Sequence, residues 1–245
     1  MSWPVTSERK TISANPAENL KTVLARIAAA RAAALQPAPE TKLVAVAKGH
    51  GRERILPVLE AGQRIFGENR VQEAKAKWPS LQAEFPGIEL HLVGPLQTNK
   101  VREALELFDV IHSVDRIDLA RELDRRARAR GRPVDVLAQV NVGQEPSKGG
   151  WPPEAVETAV EALAALGGLR LRGLMTIPPA VERAEDARGS FRALRKLAER
   201  HGLTELSMGM SGDFEIAVEE GATMVRVGTA IFGPRPPRVP LLPER

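Results

Sequence analysis

The sequence predicts an α/β protein of one domain, a closed (β/α)8 TIM barrel preceded by an extra N-terminal helix. Three observations carry this. Apolar, strand-like runs alternate with helical stretches along most of the 245 residues. Eight such runs with seven helical stretches between them match the repeat of a closed parallel barrel. The runs end in polar or small residues, as they do where barrel loops bind ligands. Periodicity does not show closure, so a doubly wound open sheet is the alternative.

The elements follow in order. Residues 1–14 read as an N-terminal extension, 15–233 as the barrel, and the proline-rich 234–245 as a tail. In "NPAENLKTVLARIAAARAAAL", Leu20, Val23, Leu24, Ile27 and Ala28 recur at helical spacing. Asn15 is the expected N-cap, Pro16 the first helical residue and Glu18 the partner three positions after the cap. The strands are then "KLVAVAK", "QRIFGEN", "ELHLVG", "DVIHSVD", "DVLAQVN", "LRLRGLMT", "TELSMG" and "TMVRVGTAIFG". One intervening helix, "DRIDLARELDRRARARG", opens at Asp115 as its cap and stops at Gly131; Trp151 with Pro152 and Pro153 opens the next.

Composition excludes several classes. With no cysteine there is no disulfide framework and no thiolate ligand or nucleophile, which suits a reducing cytoplasm, the expected location. The opening "MSWPVTSERKTISANP" lacks the apolar segment of a signal peptide, and no apolar run is long enough to span a bilayer. A net charge of +4 favours anionic ligands without pointing to nucleic acid. The basic run "RRARARGR" carries Glu122–Arg126 and Asp124–Arg128 at i, i+4, so it reads as a solvated, salt-bridged helix face. His50, His91, His112 and His201 show no metal-ligand spacing, and His50 reads as a loop residue in solvent.

The strand ends carry the functional signal. Lys48 terminates the apolar run Leu43–Ala47, where an ammonium group needs a reason to sit. "SMGMSGDFEIAVEEG" puts Ser207, Gly209, Ser211 and Gly212 before a helix, and "VRVGTAIFG" puts Gly228 and Thr229 after the last strand. Glycines admit backbone N–H groups to an anion and hydroxyls add donors, and barrels commonly hold phosphate in the loops after strands seven and eight. Closure makes these loops neighbours of Lys48, which invites a phosphorylated aldehyde held as a Schiff base.

Together, "LVAVAK", "FGENRVQEAKAK", "HLVGPLQTNKV", "QVNVGQEPSKGG", "GLMTIPP" and "ELSMGMSGDFEIAVEEGATMVRVGTAIFG" resemble the pyridoxal phosphate homeostasis protein family, from about Leu43 to Gly233. The resemblance implies a barrel like the N-terminal one of alanine racemase, with pyridoxal 5′-phosphate (PLP), the vitamin B6 cofactor, as ligand. It implies a carrier or regulator of the cofactor without established enzymatic activity. By position, Lys48 corresponds to the Schiff-base lysine, Ser211, Gly228 and Thr229 to residues around the phosphate, with Ser207 beside them. Arg226 corresponds to the arginine facing the pyridine nitrogen and Asn69, in "GEN", to a residue beside the ring. The sequence departs from the family at Ala47, where serine is common, and at Arg70, where tyrosine or histidine is common.

Arg226 can only donate, so it would favour the unprotonated pyridine, a weaker electron sink. The chain contains no tyrosine, the residue alanine racemase uses as one of its two bases. The expectation is therefore a monomer that holds PLP, binds neither nucleic acid nor membrane, and serves PLP-dependent apoenzymes. The alternatives are a PLP-dependent amino-acid racemase-like enzyme, a cofactor-free Schiff-base aldolase and a nucleic-acid-binding protein. Lys148 is the rival lysine, and the sequence leaves open whether it touches cofactor or solvent.

Overall fold

The computed structural model describes residues 13–235. The segments 1–12 and 236–245, most of the expected extension and tail, lie outside the described residues. Eight parallel strands close in sequence order: β1 Lys42–Val46, β2 Ile65–Glu68, β3 Glu89–Leu92, β4 Val110–Val114, β5 Val134–Gln139, β6 Leu169–Met175, β7 Glu205–Ser207 and β8 Met224–Val227. β8 pairs with β1 through Lys42↔Met224 to Ala45↔Val227, which excludes the open sheet. Seven helices connect the strands: α2 Arg52–Glu60, α3 Val71–Glu84, α4 Val101–Leu107, α5 Ile117–Ala129, α6 Val156–Ala164, α7 Arg188–Arg200 and α8 Phe214–Glu219. The last predicted strand run is split: β8 stops at Val227, and Thr229–Phe232 form the short helix α9.

Strand alternation sorts the core into two layers. Leu43, Ala45 and Ala47 of the first run face the helices, and Val44 and Val46 face the barrel axis with Val93, Leu137, Met175 and Met224. Lys48 follows Val46 by two, so it continues the inward row at the mouth formed by the strand C-terminal ends.

The preceding helix, α1, runs from Pro16 to Ala33 and packs against α2, α8 and α9. Asn15 caps it, its side chain accepting from the Ala17 N–H at 3.0 Å. Glu18 does not close a capping box directly: it accepts from the Ser13 hydroxyl, which in turn accepts from the Asn15 N–H. The buried stripe is Leu20, Val23, Ile27 and Ala30, while Leu24 and Ala28 face outward. Asn19 ties the helix to the barrel by donating to the Ile231 carbonyl at 3.0 Å. Asn15→Ala is expected to cost about 1 kcal/mol in urea denaturation, the usual worth of an N-cap side chain.

α5 departs from expectation at its start. Asp115 pairs with Arg116 at 2.7 Å, and Arg116 occupies the cap position with no side-chain hydrogen bond. Its basic face is salt-bridged, Glu122 with Arg125 and Arg126 and Asp124 with Arg128. Trp151 leads through a turn at Pro153–Ala155 into α6, its indole donating to the Val114 carbonyl at 3.2 Å. No described helix is long and apolar enough to cross a membrane.

Candidate functional site

A cavity of about 270 Å³ opens at the mouth, lined by Lys48, Asn69, Ser211, Arg226, Gly228 and Thr229 among others. Six of the seven residues singled out from the sequence thus meet in one place.

Lys48 hangs on a clamped backbone. The Ala47 N–H donates to the Gly67 carbonyl of β2 at 3.0 Å. Behind it, the Lys77 ammonium of α3 donates to the carbonyls of Ala47 at 2.8 Å and His50 at 3.1 Å. Gly49 turns the chain at φ +75°, where a side chain would be strained, and its N–H donates to Glu73 at 2.5 Å. Burial lowers the Lys48 pKa, and the nearby guanidinium groups of Arg235 and Arg226 lower it further; Glu68 and Glu73 oppose them. An amine so placed loses its proton more readily than a solvated lysine and is a better nucleophile at neutral pH.

Glu68, inside "GEN", escaped the sequence reading. It is fully buried, accepts from the Trp78 indole at 3.0 Å and pairs with Lys77 at 2.7 Å, while its Oε2 has no partner. Burial outweighs both partners and pushes its pKa up to about 7. The available signal was Glu73 and Lys77 at i, i+4 just after the motif, aligned on the face α3 turns to β2.

The opposite wall is polar and small. Ser211 accepts from the backbone N–H groups of Gly228 at 3.3 Å and Ala230 at 3.2 Å, which leaves its own O–H proton to donate elsewhere. Asp213 closes the loop by accepting from the Met210 N–H at 2.6 Å. Gly209 has φ +89°, and a Cβ there would lie 2.5 Å from the Ala217 methyl, so glycine permits the close approach of this loop to α8. Thr229 is exposed at the rim.

Arg226 forms the floor, 4 % exposed. It donates to the Ser207 hydroxyl at 2.6 Å and the Thr176 carbonyl at 2.8 Å. Burial draws its pKa down to about 10, still far enough above neutrality to keep the charge. Among the described residues it forms no ion pair, so a buried cation faces the cavity with only neutral acceptors behind it. That arrangement fits an acceptor or anion arriving as ligand.

Several expectations are corrected. Ser207 is fully buried beneath the floor, bonded to Arg226 and His112, and does not line the cavity with the other six. His50 is not a solvated loop residue: it is 7 % exposed, stacks on Phe232 with ring centroids 5.3 Å apart and lines the cavity. Other polar strand ends serve the scaffold, with Ser113 donating to the Gly94 carbonyl, Thr176 to that of Val140, and Asn141 bracing the Glu145–Lys148 loop. Arg235, assigned to the tail, reaches back to line the cavity beside Gly49. Lys148 is tethered, donating to Glu145 and the Pro178 carbonyl, both at 2.7 Å. Among the described residues no cluster of three or more potential ligands could hold a metal.

The profile of the alanine racemase N-terminal domain matches residues 19–236. The pyridoxal phosphate homeostasis protein of Pseudomonas aeruginosa is 45% identical over 222 residues, covering 89% of this chain and 95% of its own length. That of Aquifex aeolicus is 43% identical over 227 residues, covering 90% and 99%. Among solved structures, PipY of Synechococcus elongatus with PLP bound superposes with a TM-score of 0.77 at 40% identity, covering 89% of this chain and 100% of that one. Barrel, cavity and sequence agree, and the chain belongs to the pyridoxal phosphate homeostasis protein family.

Proposed function

We propose that the protein binds PLP in this cavity, covalently through Lys48, and serves intracellular PLP homeostasis as a carrier or regulator. The observation that carries the reading is the conjunction in one cavity of an amine of lowered pKa, a buried cation that forms no ion pair among the described residues and the hydroxyls of Ser211 and Thr229. Asn69 adds a buried side-chain oxygen that has no partner. An orphaned acceptor of this kind fits a ligand that brings a donor.

In the proposed site the deprotonated Lys48 amine would hold the cofactor through its aldehyde, and Ser211, Gly228 and Thr229 would hold its phosphate. When bound, the cofactor supplies an electron-withdrawing ring. Arg226, which lines the cavity, would meet that ring as a donor only and, keeping its own proton, would leave the sink weak. The chain offers no tyrosine as a second base. Both features support a holding role over catalysis; the proposal extends to a monomer that delivers PLP to apoenzymes in the cytoplasm and binds neither nucleic acid nor membrane. A racemase-like activity is the second reading, favoured by a neighbouring cavity of about 190 Å³ that shares Asn69, Val93 and Ile177 and adds Lys148 and Asp115. Racemisation assays with the purified protein separate the two.

The test is retention. Wild-type protein is expected to keep stoichiometric PLP through dialysis. Ser211→Ala combined with Thr229→Ala is expected to weaken retention at least tenfold, since a hydrogen bond to a charged group contributes roughly 1.5–3 kcal/mol. Unchanged retention in the double variant would move the phosphate elsewhere.

A further inference from the structure

The barrel axis of this protein is not filled by apolar side chains alone, as barrel interiors usually are. His91, His112, Ser207 and Arg226 all sit inside, none more than 4 % exposed. They form one unbroken line. Arg226 donates to Ser207 Oγ at 2.6 Å, Ser207 Oγ meets His112 Nδ1 at 2.8 Å, and His112 Nε2 meets His91 Nδ1 at 2.8 Å. His91 Nε2 then meets Glu89 Oε1 at 2.7 Å, and Glu89, at the N-terminal end of β3, is 41% exposed. The line thus runs from the cavity floor to solvent at the opposite end of the barrel.

Donor chemistry fixes its direction. A guanidinium only donates and a carboxylate only accepts, so the two ends are set. His91 must place its proton on Nε2 to serve Glu89, which makes its Nδ1 an acceptor. His112 then donates from Nε2 and accepts at Nδ1, so Ser207 donates to His112 and accepts from Arg226. With both rings neutral, every polar atom on the line is satisfied once. An imidazolium at His91 would reverse the middle of the chain and leave Ser207 facing two donors.

We propose that Glu89, His91, His112 and Ser207 are positioning residues that hold the Arg226 guanidinium in a single orientation toward the cavity, with Glu89 anchoring the chain from the far end of the barrel. The proposal rests on the reading above that Arg226 faces bound PLP. The other charged groups facing the chain are Lys42 toward Glu89, and Lys48 and Asp213 toward Arg226. Burial, and after it the neighbouring His91 and Arg226, hold the His112 pKa well below its ordinary value, in keeping with a neutral ring at His112.

Two measurements test it. In the cofactor-free chain, ¹⁵N NMR of the imidazoles is expected to show the Nε2–H tautomer for both His91 and His112 at neutral pH. An Nδ1–H tautomer or a charged ring at either position would overturn the chain. In the loaded protein, Glu89→Ala is expected to raise the Kd for PLP about fivefold, the usual worth of one hydrogen bond, and to alter the pH dependence of the cofactor's absorption spectrum. Glu89→Gln keeps an acceptor for His91 and is expected to restore wild-type values. If Glu89→Ala matches a cofactor-retaining wild type in both readouts, the positioning role fails. A wild type that retains no PLP overturns the functional reading instead, and the NMR result stands apart from it.

Discussion

Lys48→Ala is expected to abolish covalent retention of PLP. In the wild type, borohydride reduction followed by peptide mapping is expected to place a phosphopyridoxyl group on Lys48; in the variant no lysine is labelled. Residual, non-covalent binding persists, because Ser211, Gly228 and Arg226 stand on β8 and on the loops around it. The cofactor-free variant is expected to be at least as stable as wild type at neutral pH. The lowered pKa of Lys48 means that folding disfavours its charge, so it costs stability at pH below its folded pKa. That cost fades as pH rises through the folded pKa toward the ordinary 10.5, and the advantage of the variant fades with it. Lys148 offers no easy substitute, since Glu145 and the Pro178 carbonyl already hold its ammonium. A wild-type label on Lys148, or on no lysine, would sink the assignment.

Lys48 was legible because local information suffices: an inward, apolar row ended in a cation. The barrel was legible for the same reason, since each βα unit announces itself by its own periodicity. Ser207 and Ser211 look alike in "SMGMSG", and only strand parity separates them, one on the inward row of β7 and the other on the loop beyond it. The line through the barrel was invisible because His91 and His112 are far apart in sequence and become neighbours only through the register that pairs His91 with Val110. Histidines read by spacing alone cannot show a contact that depends on the stagger of adjacent strands. The burial of His50 is equally non-local, needing Phe232 from the far end of the chain and Lys77 from α3. Arg235 was missed because a proline-rich segment reads as a tail whatever its side chains reach.

Lys77→Ala is expected to destabilise the protein by about 1 kcal/mol more at pH 8 than at pH 5, because removing one member of a buried pair strands the other charge and keeping Glu68 protonated one pH unit above its folded pKa of about 7 costs about 1.4 kcal/mol. Glu68 is fully buried, its Oε2 already lacks a partner, and Trp78 would be its one remaining donor. The loss depends on pH in a defined sense. The folded pKa of Glu68, about 7, lies above its ordinary 4.5, so its contribution is fully present below 4.5 and is lost as pH rises through 7. Without Lys77 the burial penalty stands unopposed, the folded pKa climbs further, and the variant loses stability over a wider range than wild type. The deficit is therefore expected to be smallest near pH 5, where both proteins carry a protonated Glu68, and to grow by about 1.4 kcal/mol per pH unit above 7 until the variant's Glu68 ionises. Glu68→Gln in the Lys77→Ala background removes the stranded charge, keeps an acceptor for Trp78 and is expected to recover much of the loss at pH 8. PLP retention is expected to fall even where the fold persists, since Lys77 also holds the carbonyls of Ala47 and His50 on either side of Lys48. Urea denaturation at the two pH values decides the matter. A deficit equal at pH 5 and pH 8 would show that Glu68 is not the stranded charge, and that Lys77 acts through the backbone it clamps.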